Sequence, residues 1–217
     1  MYSAIIVAAG TGTRSGLAYN KTLYLFRGEP LVRLAAKAFL ADPDCAEIIL
    51  VVKELEEARF RAIFPEPRVK FVHGGATRQT SVESGLHAVT QAMVLIHDGA
   101  RPNLSTILLR TIVKTLQKHD AVAPGIRVKD TIRLAKNGIF YDTVPRENAY
   151  FLQTPQGFRT EKIRKAHLLA TKSEGMYPDD TTLYQAMLQE DVVLIEGEET
   201  NIKITTMADL VVLEGIV

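Results

Sequence analysis

The sequence predicts an α/β fold: a doubly wound, mainly parallel sheet with helices on both faces. Short apolar runs alternate along the chain with segments whose apolar residues recur at helical spacing. Strands separated in this way pair in parallel through right-handed crossovers. The first run, residues 4–9 (AIIVAA), is apolar throughout, which indicates a strand buried on both faces. A chain of 217 residues can form one such domain, residues 1–217, with a sizeable core.

The other elements follow in order along the chain. Helical spacing begins after Pro30, a residue suited to the first turn of a helix. Asp180 is predicted to be the N-cap of a later helix. Further strands are predicted at 47–53, 69–73, 93–97, 121–124 and 192–196, and helices after Pro30, at 55–64, from a first turn near Thr80–Ser81, and at 104–118, 161–171 and 181–189.

The alternation breaks at a predicted β-hairpin within residues 126–150. Extended runs at 128–134 and 139–144 flank Asn137-Gly138, a strong signal for a tight hairpin turn. A two-stranded ribbon is rarely stable alone in water. We therefore predict an arm that packs against a second subunit. The alternative is a hairpin folded back on its own sheet.

A glycine-rich loop with two cations follows the first strand. Gly10, Gly12 and Gly16 let main-chain N–H groups approach a ligand, and Arg14 and Lys21 add positive charge. Such a loop at the carboxyl edge of a parallel sheet suits a polyphosphate. The alternative from this loop alone is a solvated surface turn.

Two common phosphate-binding patterns do not fit this loop. Gly16 is followed by Leu17 and not by the lysine of a Walker loop. The dinucleotide pattern G-x-G-x-x-G fails in register after Gly10-Thr11-Gly12, which argues against a nicotinamide-dependent dehydrogenase.

Composition limits the possible partners. The 26 basic and 25 acidic residues give a formal charge of +1, so any cationic site must be local. The single cysteine, Cys45, excludes an intrachain disulfide and is expected to be a small buried side chain in a reducing compartment. Residues 4–9 are too short for a signal peptide or a membrane span. We expect a cytoplasmic protein that binds neither nucleic acid nor membrane.

Two later stretches place candidate ligand groups near the sheet edge. In residues 74–86 (GGATRQTSVESGL), a glycine pair leads into the positive end of a helix, which suits a pyrimidine carbonyl or a phosphate. The alternative is that Thr77 or Thr80 only caps the helix. Asp98, in residues 97–102 (HDGARP), follows the fourth strand and can hold Mg²⁺, although such an aspartate is more often a cap or turn former.

The segment 201–205 (NIKIT) carries another candidate cation. Its period-two alternation places Asn201, Lys203 and Thr205 on one face, so that Lys203 can point into a site. The alternative is a lysine on an edge strand that discourages aggregation. Thr206 and Asp209 have the spacing of a capping box, which makes a structural role for Asp209 the expected one.

These stretches resemble, in order and over nearly the whole chain, the motifs of the 2-C-methyl-D-erythritol 4-phosphate cytidylyltransferase family. The resemblance implies an enzyme that transfers CMP from CTP to that polyol phosphate, with Mg²⁺, and releases pyrophosphate. It also implies a homodimer whose subunits exchange the 126–150 arms. The matching motifs are A-A-G-x-G-x-R with a lysine seven residues beyond, G-G-x-x-R-x-x-S-V-x-x-G-L, H-D-x-A-R-P, T-P-Q-x-F at 154–158, and N-I-K-I-T-T at 201–206.

The resemblance also implies roles for individual residues. Asp98 would hold Mg²⁺ or the ribose. The implied catalytic residues are Arg14, Lys21, Arg146 and Lys203. The implied nucleotide-binding residues are Ala8, Ala9, Gly10, Gly12, Gly75, Ser81, Asp98 and Ala100. The implied contacts to the polyol phosphate, with Arg146 coming from the partner's arm, are Thr131, Arg146, Thr154 and Lys203.

The chain departs from the family pattern at four places. Ser15 stands where Met is usual, and Asn20-Lys21-Thr22 stands where Pro-Lys-Gln is usual. Pro178 and Met207 replace Thr and Pro. These departures put in question the rigidity of the lysine segment and one contact to the polyol.

Two alternative functions are weighed against this interpretation. A ribitol 5-phosphate cytidylyltransferase shares most motifs, but Ala8-Ala9-Gly10 and Gly99-Ala100 argue against it. A non-catalytic nucleotide-binding regulator is disfavoured by the retained cations.

Overall fold

An eight-stranded sheet lies at the centre of the part of the chain that the computed structural model describes, residues 1–10, 17, 19–173 and 175–216. Its strands, with those of two small two-stranded ribbons, are β1 (Tyr2–Val7), β2 (Leu25–Phe26), β3 (Glu29–Pro30), β4 (Cys45–Val52), β5 (Val69–His73), β6 (Met93–Asp98), β7 (Ala121–Arg127), β8 (Ile132–Lys136), β9 (Ile139–Val144), β10 (Tyr150–Leu152), β11 (Gln156–Arg159) and β12 (Val193–Glu196). The α-helices are α1 (Leu31–Ala41), α2 (Glu57–Ile63), α3 (Arg78–Ala88), α4 (Thr106–Leu116), α5 (Thr160–Ala170), α6 (Asp180–Leu188) and α7 (Met207–Ile216).

The sheet has the order β10-β7-β11-β6-β1-β4-β5, with β12 beside β7. β1 pairs in parallel with β4 and β6, β4 with β5, and β12 with β7. β11 runs antiparallel between β6 and β7, and β10 runs antiparallel to β7. The predicted doubly wound, mainly parallel α/β fold is therefore confirmed.

Helices cover both faces of the sheet. Phe39 of α1, Phe60 of α2 and Ile112 of α4 are buried in one apolar core, and Leu86 of α3 and Tyr184 of α6 in the other. Successive side chains of β1 alternate between these two cores, as strand geometry requires. This explains why the strand is apolar from Ala4 to Val7 and why its one polar residue, Ser3, is buried and bonded to Glu47. Within the described residues, every helix is too short or too polar to cross a bilayer.

A smaller apolar cluster holds the C-terminal helix against the start of α1. Leu210 and Leu213 of α7 pack with Phe26, Leu31 and Ile204. The carboxylate of Asp209 accepts from the backbone N–H groups of Thr205 and Thr206, at 2.7 Å each. Asp209 thus caps α7, as its spacing from Thr206 predicts.

Several predicted element ends differ from the structure. Residues 201–205 form no regular strand, because their backbone meets the body of the protein through single bonds such as Ile204 N to Ala100 O, 2.8 Å. α3 begins at Arg78 because Thr77 and Thr80 form a reciprocal capping box. Residues 55 and 56, the first two of the second predicted helix, belong to a 3₁₀ turn over Glu54–Glu56, and α2 begins at Glu57.

The N-cap of α6 is Asp179 and not Asp180. The Asp179 Oδ1 atom accepts from the backbone N–H groups of Thr181 (2.8 Å) and Thr182 (3.0 Å). Asp180 points inward and is 1% exposed. Two adjacent aspartates are equivalent in sequence as caps. The structure distinguishes them because Asp180 turns inward and pairs with Arg78, at 2.7 Å.

The predicted hairpin is present as a ribbon of its own, separate from the main sheet. Among the described residues, β8 and β9 pair only with each other. Asn137 and Gly138 have positive φ angles of 52° and 80°, as a tight turn between twisted strands requires. Ile139, Phe140 and Tyr141 are 71%, 64% and 64% exposed. The hairpin therefore presents apolar side chains that the described part of the chain leaves uncovered.

Cys45 lies at the start of β4 and is buried, as predicted from the sequence. Burial raises the pKa of its thiol to about 12. The thiolate, which is the reactive form, is therefore scarce at neutral pH.

Candidate active site

A cavity of about 300 Å³ opens at the carboxyl edge of the sheet. The turns that follow β1, β5 and β6 form its floor, since the carboxyl ends of parallel strands meet at one edge of a sheet. Lysines from two distant segments complete its wall. The predicted site residues that line it are Ala9, Gly10, Lys21, Gly75, Ser81, Asp98, Ala100 and Lys203.

The turns that form the floor are packed closely against one another. Backbone bonds continue beyond the strands, from Ala8 N to Val51 O (2.8 Å) and from Gly99 N to Val7 O (3.0 Å). A Cβ atom on Gly74 would lie 2.7 Å from the Ala9 side chain. Only glycine fits at this position, which allows two of the loops to meet at the floor of the cavity.

Asp98 is the acidic centre of the cavity. Its carboxylate lies 2.7 Å from Lys203 Nζ, 3.2 Å from Arg78 Nε and 3.8 Å from Arg101 Nε. Burial opposes ionisation, but the charges of Arg78 and Lys203 outweigh it and hold the pKa of Asp98 well below its usual range. Asp98 is therefore an anion that orders the cations around it.

Arg78 connects this centre to a second buried carboxylate. Its Nε donates to Asp98, and its Nη1 donates to Asp180 Oδ2 at 2.7 Å. Burial lowers the pKa of Arg78, but the charges of Asp180 and Asp98 more than offset this and raise it. The guanidinium therefore stays charged at the cavity wall.

Arg78 is not among the site residues predicted from the sequence. Arg78 lines the cavity, and the only sequence signal for it is its place in the G-G-x-x-R motif.

The segment that carries Lys203 is tied to the cavity on both sides. Arg101 Nη1 donates to Asn201 O at 2.7 Å, and Asn201 Nδ2 donates to Thr154 O at 2.9 Å. On the other side, Ile204 N donates to Ala100 O. These bonds hold Lys203 over Asp98 without a regular strand.

Thr154 lies buried beneath Asp98 and outside the cavity lining. Its Oγ1 accepts from Asp98 N (3.1 Å) and lies 2.9 Å from His97 Nδ1. The other ring nitrogen of His97 lies 3.1 Å from Arg101 O, so it donates to this carbonyl. Burial lowers the pKa of His97 to about 4, so the ring is neutral near pH 7. In this structure Thr154 supports the turn that carries Asp98.

Comparison with known proteins identifies the family. The model of the 2-C-methyl-D-erythritol 4-phosphate cytidylyltransferase family matches residues 2–217. The chain belongs to this cytidylyltransferase family. Among curated relatives, the cytidylyltransferase of that name from Geobacillus kaustophilus is 39% identical over 99% of this chain and 96% of its own. The one from Bacillus mycoides is 36% identical over 99% and 97%.

Solved structures of cytidylyltransferases share the fold. The 4-diphosphocytidyl-2C-methyl-D-erythritol synthase of Anaerococcus prevotii superimposes with a TM-score of 0.89 at 29% identity, covering 99% of this chain and 95% of that one. The cytidylyltransferase of Thermus thermophilus has a TM-score of 0.81 at 33% identity, covering 98% and 96%.

Some predicted site residues of this cytidylyltransferase do not line the cavity. Ala8 is buried at the end of β1 and contributes its backbone only. Thr131 and Arg146 lie exposed at the base of the hairpin, where Arg146 Nη1 donates to Lys129 O at 3.0 Å. Gly12 and Arg14 lie outside the described residues, as does Ser15.

The fit of Mg²⁺ to the site can be judged from its carboxylates. Among the described lining residues, Asp98 is the acidic one. In that part of the chain no three His, Cys, Asp or Glu side chains form a metal-binding group. Mg²⁺ in nucleotide sites usually binds one or two carboxylates, water and substrate phosphates. The donor set therefore fits an ion that enters with a triphosphate.

Proposed function

We propose that this chain transfers CMP from CTP to the phosphate of 2-C-methyl-D-erythritol 4-phosphate. The products would be 4-diphosphocytidyl-2-C-methyl-D-erythritol and pyrophosphate, in non-mevalonate isoprenoid precursor synthesis. The observation that carries the proposal is the convergence of Lys21, Arg78 and Lys203 with Asp98 in one cavity, on a chain of this family.

The chemistry explains why the site is rich in cations. An oxygen of the polyol phosphate attacks the α-phosphorus of CTP, and the bond to the bridging oxygen breaks, so that pyrophosphate leaves with the electron pair. The attacking oxygen is already ionised near neutral pH, so no general base is required. The barrier comes from repulsion between two anions and from charge on the leaving group. Positioning of the substrates and fixed positive charge lower the barrier, because they offset the repulsion and stabilise the charge on the leaving group.

Different cationic residues of the site would act on each of the two substrates. Lys21, together with Arg14 on the resemblance alone, would stabilise charge on the triphosphate. The amides of the β1 and β5 turns, at Gly10 and Gly75, suit the nucleotide. Lys203 would place the attacking phosphate, because its ammonium group lies at the cavity with Asp98 as its partner.

We propose Mg²⁺ as the cofactor, carried by the triphosphate and held by Asp98. The ion would neutralise part of the phosphate charge. The roles of Asp98 toward Lys203 and Arg78 follow from the contacts above and do not depend on the ion.

We also propose that two copies of the chain form a homodimer through the 126–150 arm. The support is the uncovered apolar surface of Ile139, Phe140 and Tyr141. Thr131 and Arg146 lie on this arm and away from the cavity of their own chain, so the partner's cavity is where they would contact substrate. The proposed location is the cytoplasm, since the sequence has one cysteine.

The experiment is a pyrophosphate-release assay with CTP and Mg²⁺. It compares 2-C-methyl-D-erythritol 4-phosphate, ribitol 5-phosphate and no acceptor. We expect release with the first acceptor, near-background rates with the other two, and loss of activity when Mg²⁺ is chelated. Faster release with ribitol 5-phosphate, or CTP binding without release, would refute the proposal.

A variant tests the role of the loop lysine in the same assay. Because Lys21→Ala removes one preorganised cation, we expect turnover to fall by about 10²–10³-fold. Arg14→Ala is expected to do the same. Lys118→Ala removes an exposed lysine just beyond the end of α4 and serves as the control with unchanged turnover. Near-normal turnover of Lys21→Ala would contradict the assignment.

A further inference from the structure

We infer that Asn20 is a positioning residue that holds Lys21 in place at the cavity. The inference rests on the proposed role of Lys21 in turnover. It concerns a position at which this chain departs from the family pattern, since Asn20 stands where proline is usual.

The side chain of Asn20 uses its full hydrogen-bonding capacity. Its Nδ2 donates to Ala8 O at 2.6 Å and to Glu56 Oε2 at 2.9 Å. Its Oδ1 accepts from Thr22 N at 3.1 Å and from Thr22 Oγ1 at 2.9 Å. An asparagine amide has two donor hydrogens and two acceptor sites, and all four are occupied here.

These bonds fix the backbone on both sides of Lys21. Asn20 is the N-cap of a 3₁₀ turn over Lys21–Leu23, in which Leu23 N donates to Asn20 O and Tyr24 N to Lys21 O, at 3.0 Å each. Asn20 and Thr22, on either side of Lys21, are 2% and 4% exposed. The lysine therefore projects from a short turn in which both of its chain neighbours are buried and hydrogen-bonded.

The tether also sets where this turn lies relative to the nucleotide-binding floor. Ala8 directly follows β1, and the next two residues, Ala9 and Gly10, line the same cavity as Lys21. Glu56 belongs to the segment after β4, so Asn20 joins two neighbouring strand ends to the lysine turn. A shift of about 1 Å in a positioning group can cost on the order of 100-fold in rate, so such a tether is relevant to turnover.

The backbone at Asn20 is compatible with proline. Its φ angle is −60°, within the range that a proline ring imposes. A proline at this position would restrict the backbone alone, whereas Asn20 adds bonds to Ala8, Glu56 and Thr22. In this chain the segment is restrained by the hydrogen bonds of a buried amide.

The test is a double-mutant cycle on turnover. We expect Asn20→Ala to lower kcat by about 10- to 100-fold and to leave KM for the polyol phosphate within about threefold. In the Lys21→Ala background, the same change should lower kcat by less than about twofold, because the residue it positions is already absent.

Two comparisons separate positioning from general support of the fold. Asn20→Asp keeps the acceptors but places a carboxylate against Ala8 O and Glu56, so it should be at least as impaired as Asn20→Ala. Asn103→Ala, which loses an asparagine with one bond to Thr200 O, should keep normal turnover. Thr22→Val removes one of the four bonds, the one from Thr22 Oγ1 to Asn20 Oδ1, and should give a smaller loss of kcat. If Asn20→Ala does not fold, Thr22→Val takes its place in the cycle.

The outcomes distinguish this inference from the proposed function. Normal kcat in Asn20→Ala, with Lys21→Ala impaired, would overturn the inference alone. Equal losses in both backgrounds would show that Asn20 acts on the whole structure and would also overturn it. Normal turnover of Lys21→Ala would overturn the role of the lysine and, with it, the inference.

Discussion

Arg78 joins two carboxylates that are 82 positions apart in sequence, Asp98 and Asp180. The G-G-x-x-R motif contains Arg78, but nothing near it in sequence indicates either partner. Residues that act through a turn following their own strand, such as Gly10, Gly75 and Asp98, could be predicted to meet at one edge. The contact between Arg78 of α3 and Asp180 at the start of α6 depends on how the two helices pack on the sheet. It could therefore not be predicted from the sequence.

Replacing Arg78 should destabilise the fold as well as lower turnover. Arg78→Met leaves Asp180, a carboxylate 1% exposed, without its arginine partner and with only the His167 ring, 3.3 Å from Oδ1, beside it among the described residues. We expect the free energy of unfolding at pH 7 to fall by about 3–5 kcal/mol, because an uncompensated charge remains buried. Urea denaturation measures this change.

Two further variants serve as controls for Arg78→Met. Arg78→Lys keeps the charge but cannot reach both carboxylates with separate nitrogens, so its loss should be smaller. Arg78→Met combined with Asp180→Asn should regain part of the stability. An unchanged free energy of unfolding in Arg78→Met would contradict the assigned ion pairs.

At the scale of elements, apolar runs predicted the parallel strands β1, β4, β5, β6, β7 and β12, most clearly those buried on both faces. The antiparallel strands β10 and β11 were not predicted, because three and four residues are too few to give such a pattern. Residues 201–205 show the limit of this approach. They alternate in polarity as a strand does, yet side-chain bonds from Asn201 and Arg101 hold them in place of a ladder. The hairpin, by contrast, could be predicted from two residues, because Asn137-Gly138 determines the turn locally.

The proposed sharing of sites through the hairpin leads to a complementation experiment. Lys203→Ala damages the cavity, and Arg146→Ala damages the arm, so each variant alone should be nearly inactive. In a mixed dimer, one of the two sites combines an intact cavity with an intact arm. Equal mixing with random reassociation should restore about a quarter of wild-type turnover, since half the dimers are mixed.

Pyrophosphate release and sedimentation of the mixture measure this outcome. Mixing Lys203→Ala with Lys21→Ala is the control. Both changes damage the cavity, so no dimer in this mixture contains an intact cavity and no activity should be regained. Absence of recovery in the first mixture, with mixed dimers present, would contradict site sharing.

At the scale of the whole molecule, the layers of helix, sheet and helix could be predicted because parallel strands require covered faces. The positions of the buried polar side chains beneath the cavity, such as His97 and Thr154, could not be predicted. His97 is fully buried in the central strand β6, where its two ring nitrogens lie at Thr154 Oγ1 and Arg101 O. Its place in the H-D-x-A-R-P motif gave no role for its side chain, and the structure shows it in a supporting position beside the turn that carries Asp98.

Stability should depend on pH through His97. Burial lowers its pKa from 6.5 to about 4, so between these values the unfolded chain binds a proton that the folded protein does not. The stability that neutral His97 contributes is complete above pH 6.5 and is lost as the pH falls toward 4. We expect a slope of up to about 1.4 kcal/mol per pH unit from this side chain.

Urea denaturation between pH 7.5 and 4.5 measures the slope. His97→Gln should be less stable at pH 7 and flatter across this window. Asp98 does not obscure the result, because its lowered pKa makes its contribution fall away only below its ordinary value of 3.8. Equal slopes in the two proteins would show that His97 is protonated alike in both states.

The burial of Cys45 has a practical consequence for following the arm in solution. A cysteine introduced on the exposed hairpin, for example at Lys136, would react with a maleimide fluorophore while Cys45 stays unmodified. Site-specific labelling therefore does not require a cysteine-free background, and the proposed association of subunits through the arm can be tested in otherwise native protein.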